Sequence, residues 1–318
     1  MTEKHKAPGK SDRVSISLVD ILKMFPDDKT AEDWFIAMRW PHGVWCPHCG
    51  STNVQTGAKH RSMPMRCREK ECGKRFSVRI DTIMQDSNLS YQTWALALYL
   101  VLTSLKSVSS MKLHRDLGIT QRSAWHLAHR LRAALTHNTG LFYGPVEVDE
   151  TYIGGKAKNM HAAKRKQLTG RGGVDKVAVV GAMDRGTGQI SARPVERTDA
   201  PELQGFVEAN TQPGAAVFTD DAGAYKGLRK KYRHDSVNHS AGEYVKGMAH
   251  INGIESFWAM LKRGYHGTFH HFSKKHLQRY VSEFAARYNI RELDTLDQMA
   301  FLTAGMLHKR LRYKDLIA

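Results

Sequence analysis

The sequence predicts an α/β protein in which a mixed β-sheet flanked by helices follows a small cysteine-containing module and a helical region. Four cysteines fall within residues 46–72, and none occurs elsewhere. Residues 88–138 show helical periodicity, whereas after Gly140 short apolar strand-like segments alternate with helical ones. Such alternation is typical of a sheet that is covered on both faces.

Charge indicates the class of partner. The chain has 318 residues and a formal net charge of +17, with a pI near 9.7. An excess of this size favours a polyanion as partner. No apolar run approaches the roughly 20 residues of a membrane span, and the polar, basic N-terminus does not resemble a signal peptide. We therefore expect a cytoplasmic protein that does not enter membranes.

Residues 1–40 are predicted to be an N-terminal helical segment. A polar tail covers residues 1–13, and apolar residues recur at helical spacing over residues 15–40. Pro26-Asp27-Asp28 interrupts that pattern, so two short helices are expected.

Residues 41–80 are predicted to be a zinc ribbon. Two knuckles, C-x2-C at Cys46 and Cys49 and C-x4-C at Cys67 and Cys72, are separated by 17 residues. Each knuckle offers two thiolates, and Zn²⁺ accepts four in a tetrahedron. Because four thiolates leave no open position for water, the zinc is expected to be structural. The alternatives are two disulfides, which cytosolic proteins rarely contain, or four unrelated thiols.

Residues 88–138 are predicted to be a helix-turn-helix-like DNA-binding region. A short helix ending near Leu117 is closed by Gly118, and Thr120 suits the N-cap of the next helix, Gln121 to Leu135. In a helix-turn-helix, residues at the start of the second helix contact the groove. The alternative is a helical bundle that only links domains.

Residues 143–290 are predicted to form the sheet domain, followed by a helical C-terminal tail over residues 291–318. The elements follow the order β-β-β-α-β-α-β-α, which suggests a mixed sheet. A basic stretch, 156–176, contains seven Lys or Arg and one Asp, and is predicted to be a long loop.

Three carboxylates in this domain are candidate metal ligands. Asp149 lies on the first strand, Asp220 ends the fourth, and Glu255 lies in a later helix, with intervals of 70 and 34 residues between them. If the two strands are neighbours, their aspartates could face one another and the helix could add the glutamate. Carboxylates brought together repel unless they share a hard cation such as Mg²⁺. Two such ions suit the displacement of a phosphodiester oxygen.

The helix with Glu255 also carries a candidate phosphate contact. Lys262 lies seven residues later, so it shares the face of Glu255. The alternative for these two residues alone is a solvated amphipathic helix with ordinary surface charges. The buried face is predicted to comprise Ile254, Phe257, Trp258 and Leu261.

Three motifs resemble those of a known family. They are VEVDETYIGGK (146–156), FTDDAGAYKGL (218–228) and HINGIESFWAMLKRGYHGTFHHFS (250–273). They are similar to the motifs of bacterial insertion-sequence transposases with a D-D-E-K catalytic domain, the ISXO2-like domain, and an N-terminal zinc ribbon. That group is akin to the eukaryotic Merlin elements. The resemblance covers about residues 40–290.

The resemblance implies an RNase H-like fold and DNA cleavage that depends on Mg²⁺ or Mn²⁺. By position, Asp149, Asp220 and Glu255 match the family's metal ligands, and Lys262 matches its following lysine. Asp221 follows Asp220 directly, so the choice between these two is open. Glu150 likewise adjoins Asp149, and only one of each pair can face the site on a regular strand.

The expected function is therefore that of a DNA transposase. It would bind the terminal inverted repeats of an insertion sequence, cleave the DNA with water activated by Mg²⁺ and join the 3′-OH ends to target DNA. The expected partner is double-stranded DNA, both transposon ends and target, bound by a homodimer or higher oligomer at the bacterial nucleoid. The alternatives are a DNA-binding protein with an inactive nuclease fold and an RNase H-like structure-specific nuclease.

Overall fold

The computed structural model describes residues 13–60, 62–136, 139–155, 161–166, 176–237 and 250–318. These residues form two compact units. One contains the described residues up to Thr136 together with Arg291–Ala318. The other contains the described residues from residue 139 to Ile290. None of the described helices combines the length and apolar composition that a membrane span requires.

The first unit is mainly helical. Ser17 caps its first helix by accepting from Asp20 N, and Asp27 caps the second by accepting from Thr30 N, so the predicted break at Pro26 is present. The described helices of this unit are Leu18–Met24 (α1), Asp28–Arg39 (α2), Tyr91–Thr103 (α3), Ser110–Leu117 (α4), Gln121–Leu135 (α5), Thr295–Ala304 (α10) and Tyr313–Ile317 (α11).

The C-terminal segment is built into this first unit. Thr295 N donates to Val14 O at 3.1 Å, and Ile83 N donates to Met306 O at 2.9 Å. The amine of Lys309 donates to Thr136 O at 2.6 Å. Residues 291–318 therefore complete the same helical unit that the N-terminal segment begins, rather than standing apart from it.

A small antiparallel sheet lies within the first unit. Its strands are Val54–Gln55 (β1), Met65–Cys67 (β2) and Arg75–Phe76 (β3), in the order β1-β2-β3. Cys67 pairs with Val54, and Phe76 pairs with Met65. This arrangement is the predicted ribbon.

Helices α4 and α5 are joined by a tight turn. Gly118 adopts φ 62° and closes α4, a left-handed conformation that glycine tolerates without strain. Thr120 then caps α5 by accepting from Ser123 N at 3.2 Å. The helix ends predicted at Gly118 and Thr120 are therefore present.

The second unit contains a five-stranded mixed sheet. Among its described residues the strand order is β6-β5-β4-β7-β8. Strands β4, β5 and β6 pair antiparallel, and β7 and β8 extend the sheet in parallel with β4. The strands are Val146–Ile153 (β4), Val177–Asp184 (β5), Ile190–Val195 (β6), Ala216–Asp220 (β7) and Arg233–Val237 (β8).

Helices cover both faces of this sheet. One face packs on Asn252–Gly264 (α8) and Leu277–Asn289 (α9), and the other packs on Ala200–Asn210 (α7) and the 3₁₀ helix Gly223–Lys230. Side chains alternate along β4, so Val146 and Val148 lie on the α7 face and Ile153 lies on the α8 face. The predicted fold class, an RNase H-like mixed sheet flanked by helices behind a zinc ribbon, is confirmed.

Most of the predicted basic loop, residues 156–160 and 167–175, lies outside the described residues. Within that stretch the structure describes a short helix, Ala162–Lys166 (α6).

Candidate active site and zinc site

The four cysteines converge on one point of the ribbon. One ligand atom from each of Cys46, Cys49, Cys67 and Cys72 lies within 4.8 Å of all the others. Cys46 Sγ lies 3.8 Å from Cys72 Sγ, and Cys49 Sγ lies 3.6 Å from Cys67 Sγ. Tetrahedral zinc with bonds of about 2.3 Å separates its sulfurs by roughly 3.8 Å, whereas a disulfide brings them to about 2.0 Å. The cluster therefore fits zinc and not two disulfides.

We expect zinc to hold the ribbon folded. Cys67→Ser removes one thiolate from a buried position, so the variant should lose its bound zinc and the cooperative unfolding of the ribbon. Zinc content by mass spectrometry and thermal unfolding would measure both effects. His48→Ala, which removes an imidazole between the first two cysteines, should keep its zinc; equal zinc loss in both variants would contradict the four-thiolate assignment.

Asp149 on β4 lies near Asp220 at the end of β7, the neighbouring parallel strand. The register pairs Val146 with Val217 and Glu147 with Phe218, and the latter two lie two residues before Asp149 and Asp220 on their strands. Burial, together with the charges of Glu150 and Asp220, raises the pKa of Asp149 to about 7. Without a bound cation, the charged form of the Asp149 carboxylate is therefore unfavourable at this position.

Helix α8 contacts Asp149 through Trp258. The indole Nε1 donates to Asp149 Oδ2 at 3.0 Å. The ring crosses β5 at Gly181, where an added Cβ would lie 2.7 Å from the indole Cη2. Gly181 is the residue that pairs with Asp149 across the two strands, so the missing side chain leaves the space through which the indole reaches the aspartate.

Glu255 and Lys262 share the helical stripe of Trp258. They lie three residues before it and four residues after it on α8, and both are exposed. Because Trp258 contacts Asp149, this stripe lies on the side of α8 that meets Asp149. Asp149 and Asp220 lie near one another on adjacent strands, and Glu255 lies one helical turn from the residue that touches Asp149.

A buried ion pair attaches the start of α8 to the sheet. Glu147 is 1% exposed, and its Oε1 accepts from Arg185 Nε at 2.7 Å. Its Oε2 accepts from Ile254 N at 2.9 Å. Glu147 lies on the same face of β4 as Asp149, but its charge is already compensated by a guanidinium.

The acidic neighbours of the two aspartates point elsewhere. Glu150 lies on the opposite face of β4, where its Oε2 accepts from the Tyr225 hydroxyl at 2.7 Å. Burial raises the pKa of Glu150. Asp221 is exposed and accepts from Ser236 Oγ at 3.4 Å.

The sequence predicted Trp258 only as a core residue, and it did not indicate that Glu147 or Arg185 belongs to the candidate site. The signal for Glu147 is its position two residues before Asp149, which puts both acids on one strand face. The signal for Trp258 is Gly181 within the apolar run KVAVVGAM, since a glycine inside a strand often marks a close approach.

Comparison with known proteins agrees with the motifs. Residues 142–289, which contain Asp149, Asp220 and Glu255, match the ISXO2-like transposase domain family. Residues 26–75, which contain all four cysteines, match the transposase zinc-ribbon domain family. An uncharacterised protein in transposable element ISH50 of Halobacterium salinarum is 28% identical over 275 residues, which cover 84% of this chain and 92% of that protein. The predicted resemblance is confirmed: the chain carries a segment similar to the transposase zinc-ribbon domain ahead of a segment similar to the ISXO2-like transposase domain.

Proposed function

We propose that this protein is a transposase that cleaves DNA at the ends of its own element and joins the released 3′ ends to target DNA, with Asp149, Asp220 and Glu255 as ligands for Mg²⁺ or Mn²⁺. The observation that carries the proposal is the proximity of Asp149 and Asp220 on neighbouring strands, next to the helix that bears Glu255. All three side chains offer oxygen, the ligand atom that these hard cations prefer.

The charge balance of β4 supports a cation at Asp149. Glu147, on the same strand face, is neutralised within the protein by Arg185. The hydrogen bond to Asp149 comes instead from a neutral indole, and the pKa of this aspartate is raised by burial and by two neighbouring acids. A divalent cation bound there would reverse that rise by favouring the charged carboxylates.

When bound, the cation supplies polarised water for attack on the phosphodiester and offsets charge on the leaving oxygen. Lys262, exposed on the stripe of Glu255, is proposed to hold a phosphate of the DNA backbone. No covalent link between protein and DNA is needed in this scheme.

The first unit is proposed to recognise the terminal inverted repeats. It contains the zinc ribbon and the helix-turn-helix of α4 and α5, and in such motifs the N-terminal residues of the second helix reach base edges. Gln121 and Arg122 occupy those positions in α5. Because two DNA ends must be joined in one event, we propose a homodimer or higher oligomer on nucleoid DNA.

An excision and strand-transfer assay tests the proposal. The donor plasmid carries the gene's own flanking DNA, and the native protein is compared with Glu255→Gln in Mg²⁺ and in Mn²⁺. We expect cleavage at the flanking repeats by the native protein and none by the variant. Glu208→Gln, an exposed acid on α7, should cleave normally.

Other outcomes would select the rival functions. A footprint on the repeats without cleavage by the native protein would support a DNA-binding protein with an inactive nuclease fold. Cleavage of branched DNA in preference to the repeats would support a structure-specific nuclease. Equal cleavage by native protein and Glu255→Gln would overturn the assignment of Glu255.

A further inference from the structure

The only polar atom of the Trp258 side chain, Nε1, hydrogen-bonds to Asp149, a proposed metal ligand. The side chain is 4% exposed, and its Nε1 donates to Asp149 Oδ2 at 3.0 Å. A buried indole N–H without an acceptor carries a desolvation cost, so this bond favours one arrangement of the ring and the carboxylate. The bond joins residues that are 109 positions apart in sequence.

Strand β5 has space for the indole ring because residue 181 is a glycine. At Gly181 an added Cβ would lie 2.7 Å from Cη2 and 2.8 Å from Cζ2 of the indole, and 3.1 Å from Cδ1 of Ile254. Contacts under 3.0 Å force one of the two groups to move. A side chain at this position would therefore push the indole away from Asp149, and glycine is required for the contact.

The same ring also determines how α8 is turned against the sheet. Glu255 and Lys262 share its stripe. When Trp258 is seated over Gly181, the stripe is held toward Asp149. One hydrogen bond thus couples the orientation of the Asp149 carboxylate to the placement of the glutamate-bearing helix.

We propose that Trp258 is a positioning residue for metal binding: its indole N–H orients the Asp149 carboxylate and fixes the face of α8 that carries Glu255. This inference rests on the proposed function, because it concerns the same carboxylates. Partners that hydrogen-bond metal ligands typically change metal affinity or activity by about 10–100-fold when they are removed.

Mn²⁺ binding and Mn²⁺ dependence of cleavage test this role with Trp258→Phe, which keeps an aromatic ring and removes the N–H. We expect the Mn²⁺ concentration for half-maximal cleavage to rise about 10–100-fold, with cleavage recovering at saturating Mn²⁺. Mn²⁺ binding to the DNA-free protein, followed by electron paramagnetic resonance, should weaken by the same factor. A binding curve equal to that of the native protein would overturn the proposal.

A matched control separates positioning from packing. Trp94 is fully buried in the first unit, and its Nε1 donates to Ser87 Oγ at 3.2 Å. Trp94→Phe should lower the melting temperature but leave Mn²⁺ affinity unchanged. If both tryptophan variants weaken Mn²⁺ binding equally, Trp258 has only a packing role.

A second variant covers the case in which Trp258→Phe does not fold. Gly181→Ala keeps the indole and displaces it, so it should weaken Mn²⁺ binding in the same way; unchanged binding in a folded Gly181→Ala protein would also overturn the proposal. Native protein that neither binds Mn²⁺ nor cleaves DNA would instead contradict the proposed function, so the two failures are distinguishable.

Discussion

Asp149→Asn is expected to abolish DNA cleavage and, at the same time, to make the metal-free protein more stable at pH 8. The half-buried carboxylate lies beside Asp220 and Glu150, and these surroundings raise its pKa from 3.8 to about 7. At pH 8 the folded protein must carry that charge without a cation. The amide has a similar shape and can still accept from Trp258, but it carries no charge.

The sign of the pH dependence follows from the raised pKa. Between pH 3.8 and about 7 the folded protein holds a proton that the unfolded chain has released, so stability falls as pH rises through this window. The stabilisation is fully present below pH 3.8 and is lost above about pH 7. A rise of this size corresponds to at most about 4 kcal/mol, since each pKa unit is worth about 1.4 kcal/mol.

Thermal unfolding of metal-free protein at pH 5 and pH 8, with and without Mg²⁺, measures this effect. The native protein should lose stability toward pH 8 and regain it with Mg²⁺, whereas Asp149→Asn should show a smaller loss and no gain. Asp221→Asn, which alters an exposed neighbour of Asp220, is the control and should follow the native protein. A variant less stable than native protein at pH 8 would contradict the buried-charge argument.

The sequence predicted the elements of this site better than their connections. The order of strands and helices, the glycine that closes α4 and the four-thiolate cluster all depend on local patterns, and each appears in the structure. The pairing of β4 with β7 was expected only conditionally, from carboxylates at strand ends. Its register depends on contacts between distant segments, which periodicity does not reveal.

Two features escaped prediction because their partners are far apart in the chain. The helical tail over residues 291–318 was predicted without its contacts, in which Thr295 and Met306 hydrogen-bond to Val14 and Ile83. Trp258 matched the apolar spacing of a core residue, and nothing in that spacing indicated that its N–H would reach Asp149. Helical periodicity predicts on which face of the helix a side chain lies, but not which partner its polar atom will contact.

Glu147→Ala is expected to destabilise the second unit by about 3–5 kcal/mol, the usual cost of removing one partner from a buried ion pair. Arg185 would lose the carboxylate that lies 2.7 Å from its Nε, and Ile254 N would lose its acceptor at the start of α8. Glu147→Gln keeps an acceptor for Ile254 N but removes the charge, so its loss should be smaller. Because α8 carries Glu255, cleavage should fall in both variants.

Urea unfolding of the two Glu147 variants measures the loss, and an exposed ion pair in the same unit provides the comparison. Glu208 accepts from Lys231 Nζ at 2.7 Å, with side chains 41% and 57% exposed. An exposed pair contributes about 0–1 kcal/mol because water competes for both charges. Glu208→Ala should therefore have little effect on stability or cleavage. If Glu147→Ala were as mild as Glu208→Ala, the attachment of α8 would depend on the packing of Ile254, Phe257 and Trp258 rather than on the buried pair.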